Sequence, residues 1–279
     1  MAEASNEQQI EYWNGRAGLH WAEQQERIDW NLAEITEAVI PFAAAKPGEH
    51  VIDIGCGCGT ATLLLARAVG PKGSIAGVDI SAPMLAVARA RAHAAQADIP
   101  FIEADASLHD FQPTFDLVFS RFGVMFFADP AAAFANIHKA VAPNGRLAFV
   151  CWRSMPENAW AFAPFAAAKH LLPPQEAPDP HAPGPFAFAD GVRLTDILAR
   201  AGFRDIKLEK FDGAMNMGDT AAEAANEALN IGPLARAAAE LDEATRAKIL
   251  GVVTTAMQKF AGPRGVAPPA ACWLVSAKG

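Results

Sequence analysis

A glycine-rich turn between a short apolar run and a helical segment constrains this chain more than any other feature. Residues 51–54 are typical of a buried strand, and residues 60–69 carry apolar side chains at helical spacing. Between them, Gly55, Gly57 and Gly59 alternate with cysteines. Glycines are needed where a backbone must turn sharply and approach a ligand without Cβ atoms in the way. The sequence therefore predicts a strand–loop–helix unit with a binding loop at its centre.

The alternation of strand and helix continues well beyond this loop. Further short apolar runs lie at 74–78, 99–104, 115–119 and 146–152, and helical patterns separate them. A chain that alternates in this way forms parallel strands joined by right-handed helical crossovers. We therefore predict an α/β fold with a doubly wound sheet, to which residues 203–211 and 271–277 add two more strands.

The pattern divides the chain into four regions. We predict an N-terminal helical cap over 1–40, a binding core over 41–152, and the rest of the sheet over 190–279, with a helical insertion at about 213–266. Residues 153–189 are rich in Pro, Ala and Phe and show no clear helix or strand. A long irregular stretch is more often functional than idle, so we interpret it as a lid.

Charge and composition exclude several classes of partner. The formal net charge is −8 and no dense block of Lys and Arg occurs, which argues against nucleic acid. No apolar run approaches the ~20 residues that a membrane span needs, and Glu3, Glu7 and Glu11 occupy the place of a signal peptide. The four cysteines form no disulfide framework, so we expect a protein of the reducing cytoplasm. Whether the protein forms a homo-oligomer is left open by the sequence.

Two carboxylates flank the glycine loop and indicate what it binds. Asp53 lies inside the strand before the turn, and Asp79 ends the next strand twenty residues after Gly59. Asp53 would repel a pyrophosphate but attract a cation, and the glycine spacing differs from the dinucleotide pattern Gly-x-Gly-x-x-Gly. Asp79 is placed to accept hydrogen bonds from ribose hydroxyls. A metal is not expected at Cys56 and Cys58, because no second Cys or His pair lies nearby.

These motifs resemble those of class I S-adenosylmethionine (SAM)-dependent methyltransferases, in the methyltransferase type 11 subgroup that is similar to enzymes of ubiquinone and menaquinone biosynthesis. Residues 51–60 resemble the family's first motif, and Asp79-Ile80 with Met84 resembles the second. Ala104-Asp105-Ala106 is similar to the third, and residues 115–121 are similar to the fourth-strand motif. The resemblance implies a Rossmann-like sheet of seven mostly parallel strands, with SAM as the cofactor.

The resemblance and the positions after strand ends together define the candidate site. The residues expected to bind SAM are Asp53, Gly55, Cys56, Gly57, Gly59, Thr60, Asp79, Ile80, Met84, Asp105, Ala106, Ser120, Arg121, Tyr12 and Trp21. In an open parallel sheet the reacting atoms lie beyond the carboxyl ends of the strands. We therefore expect the acceptor pocket to be formed by Phe122, Met125, Phe126, Trp152 and Trp160.

The sequence does not single out any side chain as a catalytic group. Arg121, Tyr12 and His109 are weak candidates. Arg121 is equally suited to binding a negative charge of the acceptor and to forming an ion pair with a local aspartate. The resulting hypothesis is an enzyme that moves the methyl group of SAM to O, N or C of a small, largely apolar acceptor. Two alternatives remain open: an NAD(P)-dependent oxidoreductase on the same topology, and a SAM-binding protein without catalysis.

Overall fold

The computed structural model describes residues 6–112, 115–174 and 179–279. Its centre is a seven-stranded sheet with the order β3-β2-β1-β4-β5-β9-β6, beside a two-stranded hairpin of β7 and β8. The strands are β1 (His50–Ile54), β2 (Ser74–Asp79), β3 (Phe101–Glu103), β4 (Phe115–Arg121), β5 (Val141–Trp152), β6 (Arg204–Ala214), β7 (Ala261–Gly262), β8 (Gly265–Val266) and β9 (Pro269–Lys278).

Helices precede, connect and follow these strands. They are α1 (Glu7–Asn14), α2 (Arg16–Glu23), α3 (Gln25–Asn31), α4 (Ala33–Ala43), α5 (Thr60–Val69), α6 (Ala82–Ala94), α7 (Pro130–His138), α8 (Ala159–Ala168), α9 (Gly191–Arg200), α10 (Ala221–Ala228), α11 (Gly232–Ala237) and α12 (Glu243–Met257). Among the described residues, no helix has the length and apolarity needed to cross a bilayer.

The first five strands run parallel, and β9 inserts antiparallel between β5 and β6. In β1 every residue after His50 is buried, which explains its continuous apolar character, since helices cover both faces of a parallel sheet. The prediction of a doubly wound, mostly parallel α/β sheet of seven strands is confirmed. Because β1 to β4 share one direction, the residues that follow them meet at one edge.

The expectation that 153–189 forms no regular element is wrong for Ala159–Ala168, which is helix α8. Its sequence, AWAFAPFAAA, is apolar all round and contains Pro164. A helix that is hydrophobic all round shows no amphipathic period by which the sequence could identify it. The helix packs against α10, α11 and α12 and buries Trp160 and Ala161, but leaves Phe162 46% exposed.

Ser81 lies at the N-cap position of α6, where a serine hydroxyl commonly caps the helix, but here it makes no capping hydrogen bond. The hydroxyl donates instead to the carbonyl oxygen of Trp13, at 2.7 Å. The N-terminal helices are thereby tied to the carboxyl end of β2.

Candidate functional site

A cavity of ≈ 1130 Å³ opens at the carboxyl ends of the parallel strands. Its floor is formed by residues that follow β1, β2, β3 and β4, and helices α1 to α3 and α11 contribute to its walls. In an open α/β sheet this edge is where ligands bind. A second, smaller cleft of ≈ 50 Å³ lies against the glycine loop and shares Gly55, Met84, Trp21 and Arg121 with the large cavity.

The glycine loop has the backbone conformation that its residue types indicate. Gly55, Gly57 and Gly59 have φ angles of +65°, +53° and +78°, a region that side chains with a Cβ rarely adopt. A Cβ at Gly55 would lie 2.6 Å from the Cα of Gly123, and one at Gly57 would lie 2.7 Å from the terminal methyl carbon of Met84. The loop therefore passes through a space that only glycine fits.

Asp79 links the loop to the end of β2. Its carboxylate accepts hydrogen bonds from the backbone amides of Gly57 at 2.7 Å and Ser81 at 2.8 Å. Burial raises the pKa of this carboxyl, and the hydrogen bonds from the backbone oppose that shift. Because a carboxylate has about four acceptor positions, Asp79 retains capacity to accept from a hydroxyl group of a ligand in the cavity.

Asp53 is the most deeply buried carboxylate of the site. One of its oxygens accepts a hydrogen bond from the Thr62 hydroxyl at 2.6 Å, whereas Oδ1 has no hydrogen-bond partner. Burial raises the pKa of Asp53 to about 7, and the Thr62 hydrogen bond and the charge of Arg121 oppose it. A buried, unpartnered carboxylate oxygen is costly unless a cationic or donating group satisfies it.

Arg121 ends β4 and faces two carboxylates. Its guanidinium donates to the Thr36 hydroxyl at 2.9 Å and lies 3.6 Å from a carboxylate oxygen of Asp29. Burial lowers the pKa of Arg121, while the charges of Asp29 and Asp53 raise it. Of the two roles left open for Arg121, the ion pair with a local aspartate is the one that this structure contains.

Asp29 is a site residue that sequence reasoning missed. Besides Arg121, its carboxylate accepts hydrogen bonds from the Thr60 hydroxyl, from Arg91 and from Gln25. It therefore holds α3 against the start of α5, next to the glycine loop. No motif spacing points to it, because the contact joins segments that are far apart in sequence and depends on how the N-terminal helices pack.

Asp105 lies just after β3, on the wall of the large cavity. Its carboxylate accepts from the backbone amide and hydroxyl of Ser107, at 2.8 and 2.7 Å. The side-chain amide of Asn6 donates to both of its oxygens at 3.0 Å. Carboxylates thus stand at the ends of three adjacent strands, with Asp53 on β1, Asp79 on β2 and Asp105 beyond β3.

This set of residues fits the cofactor that the sequence resemblance implies. The unpartnered oxygen of Asp53 suits a cationic amino group, and Asp79 has acceptor capacity for ribose hydroxyls. The glycine loop leaves room for close approach by a ligand, and Asp105 accepts from N–H donors such as the amine of an adenine base. Along the edge of the sheet, Asp53, Asp79 and Asp105 follow the same order as the amino acid, ribose and adenine parts of SAM.

Aromatic side chains form the other half of the cavity. The ring of Phe122 stacks on that of Trp152 with centroids 4.3 Å apart, and Trp160 continues the row 4.9 Å from Trp152. Phe186 lies 6.4 Å beyond Trp160. Phe122 has a φ of +63°, which is unusual for a bulky residue and is typical of functional sites.

The N-terminal helices cover the cavity with a second aromatic group. Trp13, which sequence reasoning did not select, contacts Tyr12, Trp21 and Phe126 edge to face, with centroids 5.2, 5.7 and 5.2 Å apart. Tyr12 is 42% exposed. The guanidinium of Arg236 on α11 lies 5.2 Å from the centroid of the Tyr12 ring, so the N-terminal helices and the late helical segment meet at the rim.

The structure brings most of the selected residues to the cavity or the cleft, and leaves some outside. Lining the large cavity are Gly55, Asp79, Ile80, Met84, Asp105, Ala106, Arg121, Tyr12, Trp21, Phe122, Met125, Phe126, Trp152 and Trp160. Four of the selected residues line the small cleft but not the large cavity, namely Asp53, Cys56, Gly57 and Thr60. Gly59 packs behind the loop, next to Ala88 and Phe101.

Ser120 and His109 lie elsewhere. Ser120 is fully buried, and its hydroxyl accepts a hydrogen bond from the Gly123 amide at 3.1 Å, so it supports the turn after β4. The ring of His109 packs edge to face on Phe111. Neither residue belongs to the lining of the cavity.

Comparison with known proteins finds sequence similarity to methyltransferases. Residues 51–145 match the model of a methyltransferase domain family. The chain is 31% identical over 135 residues to a demethylmenaquinone methyltransferase of Thermus thermophilus, a match covering 48% of this chain and 61% of that protein. It is 33% identical over 117 residues to a 2-phytyl-1,4-naphtoquinone methyltransferase of Nostoc sp., covering 41% of this chain and 51% of that one. The chain thus spans little more than half the length of these relatives.

A solved structure resembles nearly the whole chain. Haemonchus contortus phosphoethanolamine N-methyltransferase 2, in complex with phosphomonomethylethanolamine and S-adenosylhomocysteine, superposes with a TM-score of 0.60 at 17% identity, over 99% of this chain and 60% of that one. At this identity the likeness concerns the fold. The chain is therefore similar to methyltransferases, in sequence over residues 51–145 and in fold over nearly its whole length.

Proposed function

We propose that the protein transfers the methyl group of SAM to a small, largely apolar acceptor. The observation that carries the proposal is the row of three carboxylates, Asp53, Asp79 and Asp105, at the ends of neighbouring strands beside a glycine loop. A row of carboxylates suits a positively charged nucleoside and repels a pyrophosphate. It therefore disfavours the nicotinamide-dependent oxidoreductase that the topology alone would allow.

The proposed roles at the donor end follow from charge and hydrogen bonding. Asp53 and Asp29 offer negative charge to an amino group, and Arg121 offers positive charge to a carboxylate. Asp79 accepts hydrogen bonds from ribose, while Ile80 and Met84 pack against apolar surface of the ligand. We propose that residues 1–40 close over this end, since Tyr12 and Trp21 line the cavity there.

The acceptor half of the cavity supports an apolar, ring-bearing substrate. Phe122, Trp152 and Trp160 form a row of aromatic faces on which a flat ring system can stack. The total volume, ≈ 1130 Å³, exceeds what a single drug-sized ligand usually occupies, which supports a site for donor and acceptor together. The relatives named for naphthoquinone and menaquinone substrates make a quinol ring the first acceptor to test.

The chemistry that we propose needs alignment more than a dedicated base. When bound, SAM supplies a methyl group that is activated by a positively charged sulfur. The chain's own residues align the acceptor against the aromatic row and exclude water from the cavity. Arg121 is held by Asp29 and Thr36, and His109 lies outside the lining, so neither is placed to take a proton. An O–H or N–H acceptor would then lose its proton to solvent.

The lid segments complete the proposal. We propose that 153–189 and the helical insertion at about 213–266 cover the acceptor half, because Trp160, Phe186 and Arg236 line the cavity from these segments. The core over 41–152 would then bind the donor, and 190–279 would complete the sheet. Acceptor specificity would reside in the two covering segments.

Isothermal titration calorimetry with SAM, S-adenosylhomocysteine, NAD⁺ and NADP⁺ tests the donor assignment. We expect binding of the first two compounds only. A second assay offers radiolabelled SAM with a panel of quinols, phenols and amines and measures transfer of label to the acceptor. Binding of NAD⁺ without SAM would overturn the proposal, and SAM binding without transfer to any acceptor would favour the non-catalytic alternative.

A further inference from the structure

The side chain of Asn6 occupies an unusual position at the base end of the donor site. Its amide nitrogen donates to both carboxylate oxygens of Asp105 at 3.0 Å and to the Ser107 hydroxyl at 3.3 Å. Its amide oxygen accepts from the backbone amide of Ala128 at 2.8 Å. Asn6 is only 7% exposed, although it precedes the first helix. It therefore bridges the ends of two loops at the wall of the cavity.

These contacts occupy both oxygens of Asp105. Oδ1 accepts from the amide and the hydroxyl of Ser107 and from Asn6, whereas Oδ2 accepts from Asn6, whose nitrogen lies 3.0 Å from each of the two oxygens. An exocyclic amine of a nucleobase is a planar N–H donor of the same kind as a carboxamide. Such an amine and Asn6 therefore compete for the position from which one nitrogen reaches both oxygens.

Helix α1 runs along the cavity between two anchored ends, and Asn6, which precedes the helix, is the first anchor. At its far end, the Asn14 side chain donates to the Ile80 carbonyl at 2.8 Å and accepts from the Ala82 amide at 2.9 Å. The helix thus runs from the residues after β3 to those after β2. Gln9 lies between these anchors, lines the cavity and has a buried side-chain oxygen with no hydrogen-bond partner. A buried acceptor without a donor points to a ligand that supplies one.

We propose that α1 is a latch on the donor site, in which the Asn6 carboxamide takes the place of the adenine amine on Asp105 and is displaced when the donor binds. The inference rests on the proposed function, since it concerns the same site. Displacement of Asn6 frees the amino-terminal end of α1, while the Asn14 anchor keeps the helix attached to β2. Return of Asn6 to Asp105 then assists the release of the demethylated product.

The latch has a measurable consequence. When only a fraction of the protein is in the binding-competent state, the apparent Kd of the ligand equals its intrinsic Kd divided by that fraction. Removal of the Asn6 hydrogen bonds to a charged, half-buried carboxylate should therefore tighten binding of S-adenosylhomocysteine by about three- to tenfold. Gln8 lies on the same helix and is exposed, so Gln8→Ala is a matched control.

Calorimetric titration of S-adenosylhomocysteine into the wild-type protein, Asn6→Ala, a variant lacking residues 1–6, and Gln8→Ala tests the latch. We expect tighter binding in the first two variants and a change below about twofold in Gln8→Ala. Unchanged or weaker binding in both Asn6→Ala and the truncated variant, with the wild type still binding, would overturn the latch while leaving the donor assignment in place. Failure of all four proteins to bind would instead overturn the proposed function.

Discussion

The carboxylate of Asp79 accepts a hydrogen bond from the backbone amide of Gly57 at 2.7 Å. This bond joins the loop after β1 to the last residue of β2, which are neighbouring strands in the sheet. The group proposed to hold the ribose of the donor therefore also maintains the loop against which the donor lies. A change at Asp79 acts on both the direct contact and the shape of the loop.

Asp79→Ala should weaken binding of S-adenosylhomocysteine by roughly 1–3 kcal/mol, because charge-assisted hydrogen bonds to the ligand and the support of Gly57 are both lost. Calorimetry measures the change. Glu103→Ala is the control, since Glu103 is an exposed carboxylate paired in register with Asp79 on the adjacent strand. Equal affinity of Asp79→Ala and wild type would contradict the assignment of the ribose position.

The raised pKa of Asp53, about 7, makes donor binding depend on pH. The cationic amino group of the ligand favours the ionised carboxylate, so affinity should rise with pH until Asp53 is ionised in the free protein, by up to about tenfold per unit below pH 7. Above that pH the contribution of Asp53 should level off, since no proton then has to be released. Titration of S-adenosylhomocysteine between pH 5.5 and 8.5 in buffers of different ionisation enthalpy measures both affinity and proton release.

Asp53→Asn is the matched control for this pH dependence. The amide has nearly the same shape but does not titrate, so the part of the pH profile due to Asp53 should vanish, whereas titration of the ligand itself remains in both proteins. Identical pH profiles in wild type and Asp53→Asn would show that Asp53 is not the group that responds.

Alanine at Gly55 should destabilise the fold more than alanine at Gly48. Both glycines have a positive φ, +65° and +88°, so a Cβ strains the backbone in both variants, by about 1–2 kcal/mol. At Gly55 the Cβ would also lie 2.6 Å from the backbone of Gly123, whereas at Gly48 nothing lies within 4 Å. Denaturant unfolding of the two variants isolates the steric part, and equal losses of unfolding free energy would refute the close approach of the two loops.

Trp152→Leu should weaken binding of a quinol acceptor by about five- to thirtyfold while leaving the affinity for S-adenosylhomocysteine within about twofold, because the stacked pair with Phe122 lines only the acceptor half. Fluorescence titration with a naphthoquinol measures the first quantity, and calorimetry measures the second. Trp273→Leu is the control, since Trp273 lies on the neighbouring strand outside the cavity lining. A parallel loss in both variants would indicate a general loss of stability.

The sequence by itself determined the elements and the edge at which the site lies. Alternating strand and helix patterns require parallel strands, and parallel strands bring Asp53, Asp79 and Asp105 to one edge whatever the details of packing. The glycine spacing specified a backbone with positive φ at Gly55 and Gly57. Both features follow from local backbone geometry or from the order of strands and helices, so a pattern of residue types is enough to predict them.

The tertiary structure alone decided which side chains meet across the site. The contacts of Asn6 with Asp105 and of Thr36 with Arg121 span 99 and 85 residues, and no local pattern encodes a pairing at such separations. Helix α8 was not predicted because apolar residues on every side leave it without an amphipathic period. Periodicity reports how one segment divides between core and solvent, whereas contacts between distant segments arise only when the packed layers fix their relative positions.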